Sequence, residues 1–88
     1  MLEALHKTWH RSSHNSWIFY KKPGDPVSIL VETDTENRTI SVKYPQEGIC
    51  SYRVRLPDTD PCPHRAMRNA IRHVLPVVYD SFMVMQNG

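Results

Sequence analysis

The histidines supply the first chemical signal in this sequence. His6, His10 and His14 recur at four-residue spacing within LHKTWHRSSHNSWIFYKK, the stretch from Leu5 to Lys22. On a helix this spacing projects imidazoles to one side, where they can chelate a metal ion. Zinc normally takes four ligands. The other candidates, Cys50, Cys62, His64 and His73, show no paired Cys/His spacing. His14 also falls among serine and asparagine, past the end of a helix carrying the other two. A small zinc-binding domain is thus the least supported alternative. The simpler reading makes His6 and His10 solvent-facing residues beside an apolar stripe, with no metal or other cofactor expected.

The arginines give a second signal. Arg65, Arg68 and Arg72 fall at i, i+3 and i+7, on one side of a helix. Arg53 and Arg55 share one side of a strand, and Lys21 and Lys22 make a third basic cluster. Such clusters can grip phosphates or an acidic protein surface. A solvated helix face accounts for the same charges without a partner. Trp17, Phe19 and Tyr20 lie beside the lysines, and single-stranded nucleic acids stack on aromatics in such company. Trp17 and Phe19 share one side of a strand, and Ile18 and Tyr20 share the other. Both sides are apolar, so the pattern leaves open which pair faces the core.

Groups for catalysis are sparse. Gly24, Gly48 and Gly88 are isolated, so no glycine-rich phosphate loop exists. Neither cysteine has a legible histidine–acid pairing to activate it. Asp58 and Asp60 stand beside prolines and read as turn and cap residues. The expectation is a protein that is not an enzyme.

The elements that must position these residues follow from periodicity. Leu2, Leu5 and Trp9 recur at helical spacing, which predicts a helix from Leu2 to about Ser12. Ser16 to Lys22 reads as a strand rich in aromatics, ended by Pro23-Gly24-Asp25-Pro26. Val27–Thr33, Thr39–Tyr44 and Ser51–Leu56 alternate apolar and polar residues, with turn-prone segments at 34–37 and 45–48 between them. Asp60 is a candidate N-cap with Pro61 at the first helical position. The helix it opens runs to about Met85, with an apolar stripe of Met67, Ala70, Ile71, Val74, Val78, Phe82 and Met85. Pro76 lies inside it and predicts a kink or two helices. The order α-β-β-β-β-α defines an α+β fold, a four-stranded antiparallel meander with two helices packed on one face. Residues 1–88 are expected to form one small domain.

Composition narrows the class. The chain has 88 residues, and a domain of this size buries only about two-thirds of the surface its unfolded chain exposes. The apolar share is 40%, above the disordered regime, and the net charge of +2 falls short of binding nucleic acid by charge alone. MLEALHKTW has no apolar core of signal-peptide type, and the strongly apolar run near Val74–Val78 is too short to cross a bilayer. Two cysteines make at most one bridge. The expected location is the cytoplasm, with both thiols reduced.

The stretch SILVETDTENRTISVKYPQEGICSYRVRL, Ser28 to Leu56, resembles the central meander of SH2 domains. That family binds phosphotyrosine through an arginine after an FLV run. Glu32 stands at the matching position here and would repel phosphate. Ser51 replaces the family's later histidine. The resemblance therefore implies the sheet and not the ligand.

Together these features point to a small binding module or accessory factor of adaptor or inhibitor type. Its expected partner is a protein, bound through Arg53, Arg55, Arg65, Arg68, Arg72, Lys21, Lys22 and Trp17. RNA or DNA held by the same arginines is the alternative, and no membrane contact is expected. A homodimer is a further expectation. Phe82, Met83, Val84 and Met85 are apolar on all sides, more than one helix face can bury alone.

Overall fold

The computed structural model describes residues 9–47, 49–57 and 61–87. Among them the chain forms five strands and one helix: β1 (His10–Ser13), β2 (Ser16–Phe19), β3 (Ile29–Asp34), β4 (Thr39–Tyr44), β5 (Ile49–Arg55) and α1 (Pro63–Asn87). The strands lie in sequence order and every pair is antiparallel. The fold is α+β, with a meander one strand wider than the pattern predicted and one helix packed on it.

The extra strand replaces the end of the expected first helix. His10–Ser13 pairs with β2 through a turn at His14-Asn15, with Arg11 opposite Trp17 and Ser13 opposite Ser16. Ser12 is the extra residue of a bulge. Serine and asparagine offer their side chains to nearby backbone, which favours such a turn over a helix. Here the Ser13 hydroxyl donates to Asn15 Oδ1 at 2.7 Å. Asn15 then pins the turn to β3. Its carbonyl accepts from Thr33 N (2.8 Å), and its Nδ2 donates to Thr33 O (3.2 Å). The rest of the expected helix, residues 2–8, lies outside the described residues.

The second turn obeys its sequence. Asp25 N donates to Lys22 O at 3.0 Å, with Pro23 and Gly24 between them and Gly24 at φ 91°. Proline then glycine at positive φ is the type II arrangement. In the third turn Arg38 N reaches Thr35 O at 3.3 Å, and Arg38 itself takes φ 54°. That conformation costs a non-glycine residue about 1–2 kcal/mol. Two sets of bonds offset it. Asp34 accepts from Asn37 N and Nδ2 at 3.1 and 2.8 Å, and Leu56 N donates to Arg38 O at 2.8 Å.

The core lies between the sheet and α1. Trp17, Phe19, Ile29, Val31, Ile40, Val42 and Tyr44 come from the sheet, and Met67, Ile71, Leu75, Val78 and Phe82 from the helix. This settles the orientation of β2: Trp17 and Phe19 face the core. Phe82 meets the edge of Phe19 (centroids 6.0 Å apart) and stacks with Tyr44 (6.1 Å). Trp9 is also buried, 6.2 Å from Phe19.

The helix differs from its sequence pattern in three ways. It starts at Pro63, with Ala66 N donating to Cys62 O at 3.1 Å, so Pro63 takes the first-turn position expected of Pro61; Asp60 lies outside the described residues. Leu75 is fully buried, whereas Met85 is 49% exposed. The helix also continues through Pro76 as one element. An internal proline costs about 3 kcal/mol. Leu75 before it and Val78 and Phe82 after it are fully or almost fully buried, each worth about 1.5–3 kcal/mol, which holds both halves to the sheet.

Two substitutions test this arrangement. Leu75→Ala should lower unfolding free energy by about 3 kcal/mol in urea titration, from lost transfer energy plus a cavity. Gly24→Ala should cost about 1 kcal/mol although no atom lies within 4 Å of the added methyl group, because the penalty is in the backbone.

Candidate functional site

Strand alternation gives the sheet two unlike faces. The face away from α1 carries registered rows. His10, Ile18, Leu30 and Lys43 cross four strands in the first row. Glu32, Ser41 and Arg53 form the second, and Asp34, Thr39 and Arg55 the third. Ile18 and Leu30 are half-buried, and Arg53 and Arg55 are exposed. Tyr20 lies flat against His10, with ring centroids 4.5 Å apart and planes 7° apart. Among the described residues no element packs on this face, because α1 occupies the other.

Charges on the uncovered face are partly matched within the chain. Lys43 Nζ lies 3.1 Å from Glu32 Oε1, an exposed pair worth about 0–1 kcal/mol. The Asp34 carboxyl is held below its ordinary value of 3.8, first by the Asn37 side-chain amide, then by Asn37 N–H, with the nearby Arg53 charge adding to the effect. Arg53 and Arg55 thus lie on β5, on the opposite side of this face from Ile18 and Leu30, with the acidic residues between.

A groove of about 1130 Å³ opens where the start of α1 meets the β1–β2 and β3–β4 turns. Arg11, Arg38, Arg53 and Arg68 line it, against Glu32, Asp34 and Glu36. Arg11 has a structural task. Its guanidinium sits 5.4 Å over the Trp17 ring, and its Nε and Nη2 donate to Ser13 O (3.1 Å) and His14 O (2.7 Å). It closes the end of the core and holds the first turn.

The residues singled out from sequence fall in separate places. Trp17 is core. Lys21 and Lys22 lie at the far end of the molecule, where Lys21 Nζ donates to Gln86 Oε1 at 3.0 Å. Arg53 and Arg55 lie on the uncovered sheet face, while Arg65, Arg68 and Arg72 are exposed along α1. Only Arg53 and Arg68 line the same groove. Of the apolar tail, Phe82 is buried and Met83 is partly buried, whereas Val84 is 69% exposed. Lys43, Arg11 and Arg38 join the site without having been singled out; the alternation that placed Arg53 outward also places Lys43 there.

The histidines are dispersed as well. His10 is on β1, His14 in the turn, and His64 and His73 on α1, while His6 lies outside the described residues. Among the described residues no three His, Cys, Asp or Glu side chains converge on a point that a metal ion would fill. No helix among them is long and apolar enough to cross a membrane. No family model matches this sequence, and neither a curated protein nor a solved structure shows a significant similarity to it.

The lowered Asp34 carboxyl makes a pH prediction. Near pH 4 the folded chain binds fewer protons than the unfolded chain, so Asp34 stabilises the fold above that pH and the contribution is lost as pH falls through the folded value. In thermal melts from about pH 6 to about pH 2, Asp34→Asn should show a shallower loss of Tm with acid than the wild-type chain. Equal slopes would mean the Asn37 contacts do not stabilise the carboxylate.

Proposed function

We propose that the chain is a non-catalytic binding module whose uncovered sheet face docks on an acidic protein surface. The observation that carries this is that two half-buried aliphatics, Ile18 and Leu30, and exposed Arg53 and Arg55 share a face that no helix among the described residues covers. Protein interfaces combine an apolar centre with a polar rim, and arginine is enriched in them. The most exposed cations of this face favour carboxylates, which guanidinium groups grip in bidentate fashion.

A protein fits this face better than a nucleic acid. Trp17 and Phe19, the large rings that would stack bases, are in the core, and one face of Tyr20 is taken by His10. Glu32 and Asp34 interrupt the positive track a phosphate backbone would follow. Two acidic residues of this face are engaged in structural bonds, Glu32 with Lys43 and Asp34 with Asn37. An adaptor or inhibitor acting by contact needs no more than this.

The test compares capture from a lysate of the source cells by the wild-type chain and by Arg53→Glu/Arg55→Glu, with circular dichroism confirming that both are folded. The expected result is an acidic protein whose retention falls about tenfold or more in the variant. Equal capture by both chains rejects the proposed face. So does tight binding of a single-stranded oligonucleotide with an affinity that collapses as salt rises, since that behaviour reports phosphate contacts.

A further inference from the structure

The helix carries a second ordered series besides the one it buries. Ala66, Ala70, His73, Val77, Asp80 and Val84 alternate at four- and three-residue spacing, the repeat of a helix-pairing seam. His73, Val77, Asp80 and Val84 lie on the side away from the core stripe of Ile71, Leu75 and Phe82, whereas Ala70 borders that stripe and packs against the core. Val77 is 62% and Val84 69% exposed, with Asp80 exposed between them and His73 exposed one turn before Val77. We propose that this outward stripe of α1 packs antiparallel against the same stripe of a second copy of the chain, about a two-fold axis at Val77. The surface is distinct from the sheet face assigned to a protein partner.

The occupant follows from the order of residues along the stripe. A two-fold axis at Val77 sets the exposed Val77 side chains of the two copies against each other. It also brings His73 beside Ser81 and Asp80 of the second copy, so that an imidazole meets a carboxylate. Within one helix His73 and Asp80 are two turns apart, about 10 Å, and cannot pair. The complementarity exists only between two copies facing in opposite directions.

A separate feature of α1 favours the same arrangement. This 25-residue helix has no acidic residue in its first turn and no basic residue in its last. Its own side chains therefore leave both ends of the macrodipole uncompensated. An antiparallel neighbour places a negative helix end beside each positive one. A single pair of helices makes a small interface, so the association belongs in the micromolar range.

Sedimentation equilibrium of the full chain from about 5 μM to about 500 μM tests this. The expected result is a monomer–dimer equilibrium, weakened about tenfold or more by Val77→Asp, which sets two like charges together on the axis. Asp80→Lys should weaken the dimer too, and adding His73→Asp to it should restore association. Circular dichroism should show each variant folded, since all three positions face solvent. Arg53→Glu/Arg55→Glu should leave the dimer unchanged, which separates this inference from the proposed function. A chain that stays monomeric throughout overturns it. A dimer indifferent to Val77→Asp, a failed charge swap, or a dimer abolished by the Arg53/Arg55 variant does the same.

Discussion

Among the described residues a single helix covers the apolar face of a five-stranded sheet, and most of the molecule answers to that arrangement. The shared core is one layer thick. Phe82, Leu75 and Val78 from α1 meet Ile29 and Val31 from β3 and Ile40 and Val42 from β4. The edge of that layer needs different solutions at its two ends. Near the end of α1, Phe82 packs with Phe19 and Tyr44, and Tyr79 meets the edge of Phe19 at 5.3 Å, so broad rings close the core. Near the start of α1, Arg11 lies over Trp17 and ties down the adjacent turn. A cation thereby serves packing, which is why charge alone is a poor guide to the binding surface here.

The same constraint decides which surface is left over. Because the only helix among the described residues is spent on one face, the outward positions of β1 to β5 keep their exposure. The sheet then sorts them by register. Aliphatic and aromatic residues gather on the β1–β3 side and cations on the β4–β5 side, with Glu32 and Lys43 paired between. The turns fix this register. Asn15 binds Thr33 of the neighbouring strand, and Asp34 binds Asn37 within its own loop, so a one-residue slip would break polar bonds as well as bury Arg53.

Much of this was legible in the residues, and the gaps have physical causes. The alternation at Ile29–Thr33, at Thr39–Tyr44 and at Val54 located three strands and their inward sides, because a period of two can be met only by a strand. The last helix was legible for the matching reason, although a period of 3.6 let the stripe drift toward Met85 and away from Leu75. The first hairpin was not legible. Leu2, Leu5 and Trp9 fit a helix, and His10–Ser13 is exposed throughout, so it has no alternation to betray it. Its identity rests on cross-strand bonds and on the bulge at Ser12, which local sequence does not encode strongly. The basic clusters were legible one by one, and how they sit relative to one another was not. Lys21, Arg53 and Arg72 are separate in space because sequence spacing reports shared faces within an element and says nothing of how elements meet.

The outward face of α1 is where local preference and position disagree most. Valine loses side-chain freedom in a helix and is a poorer former than alanine or leucine. An exposed helix position with no partner has no use for it. Val77 and Val84 occupy two such positions, two turns apart, on the side opposite a core that Val78 and Phe82 already serve. A scattered exposed aliphatic would call for no account. Two on one line, with exposed Asp80 between them and exposed His73 one turn before, are harder to reconcile with open water. The described helix thus has one stripe that the sheet explains and another that the proposed contact between copies explains.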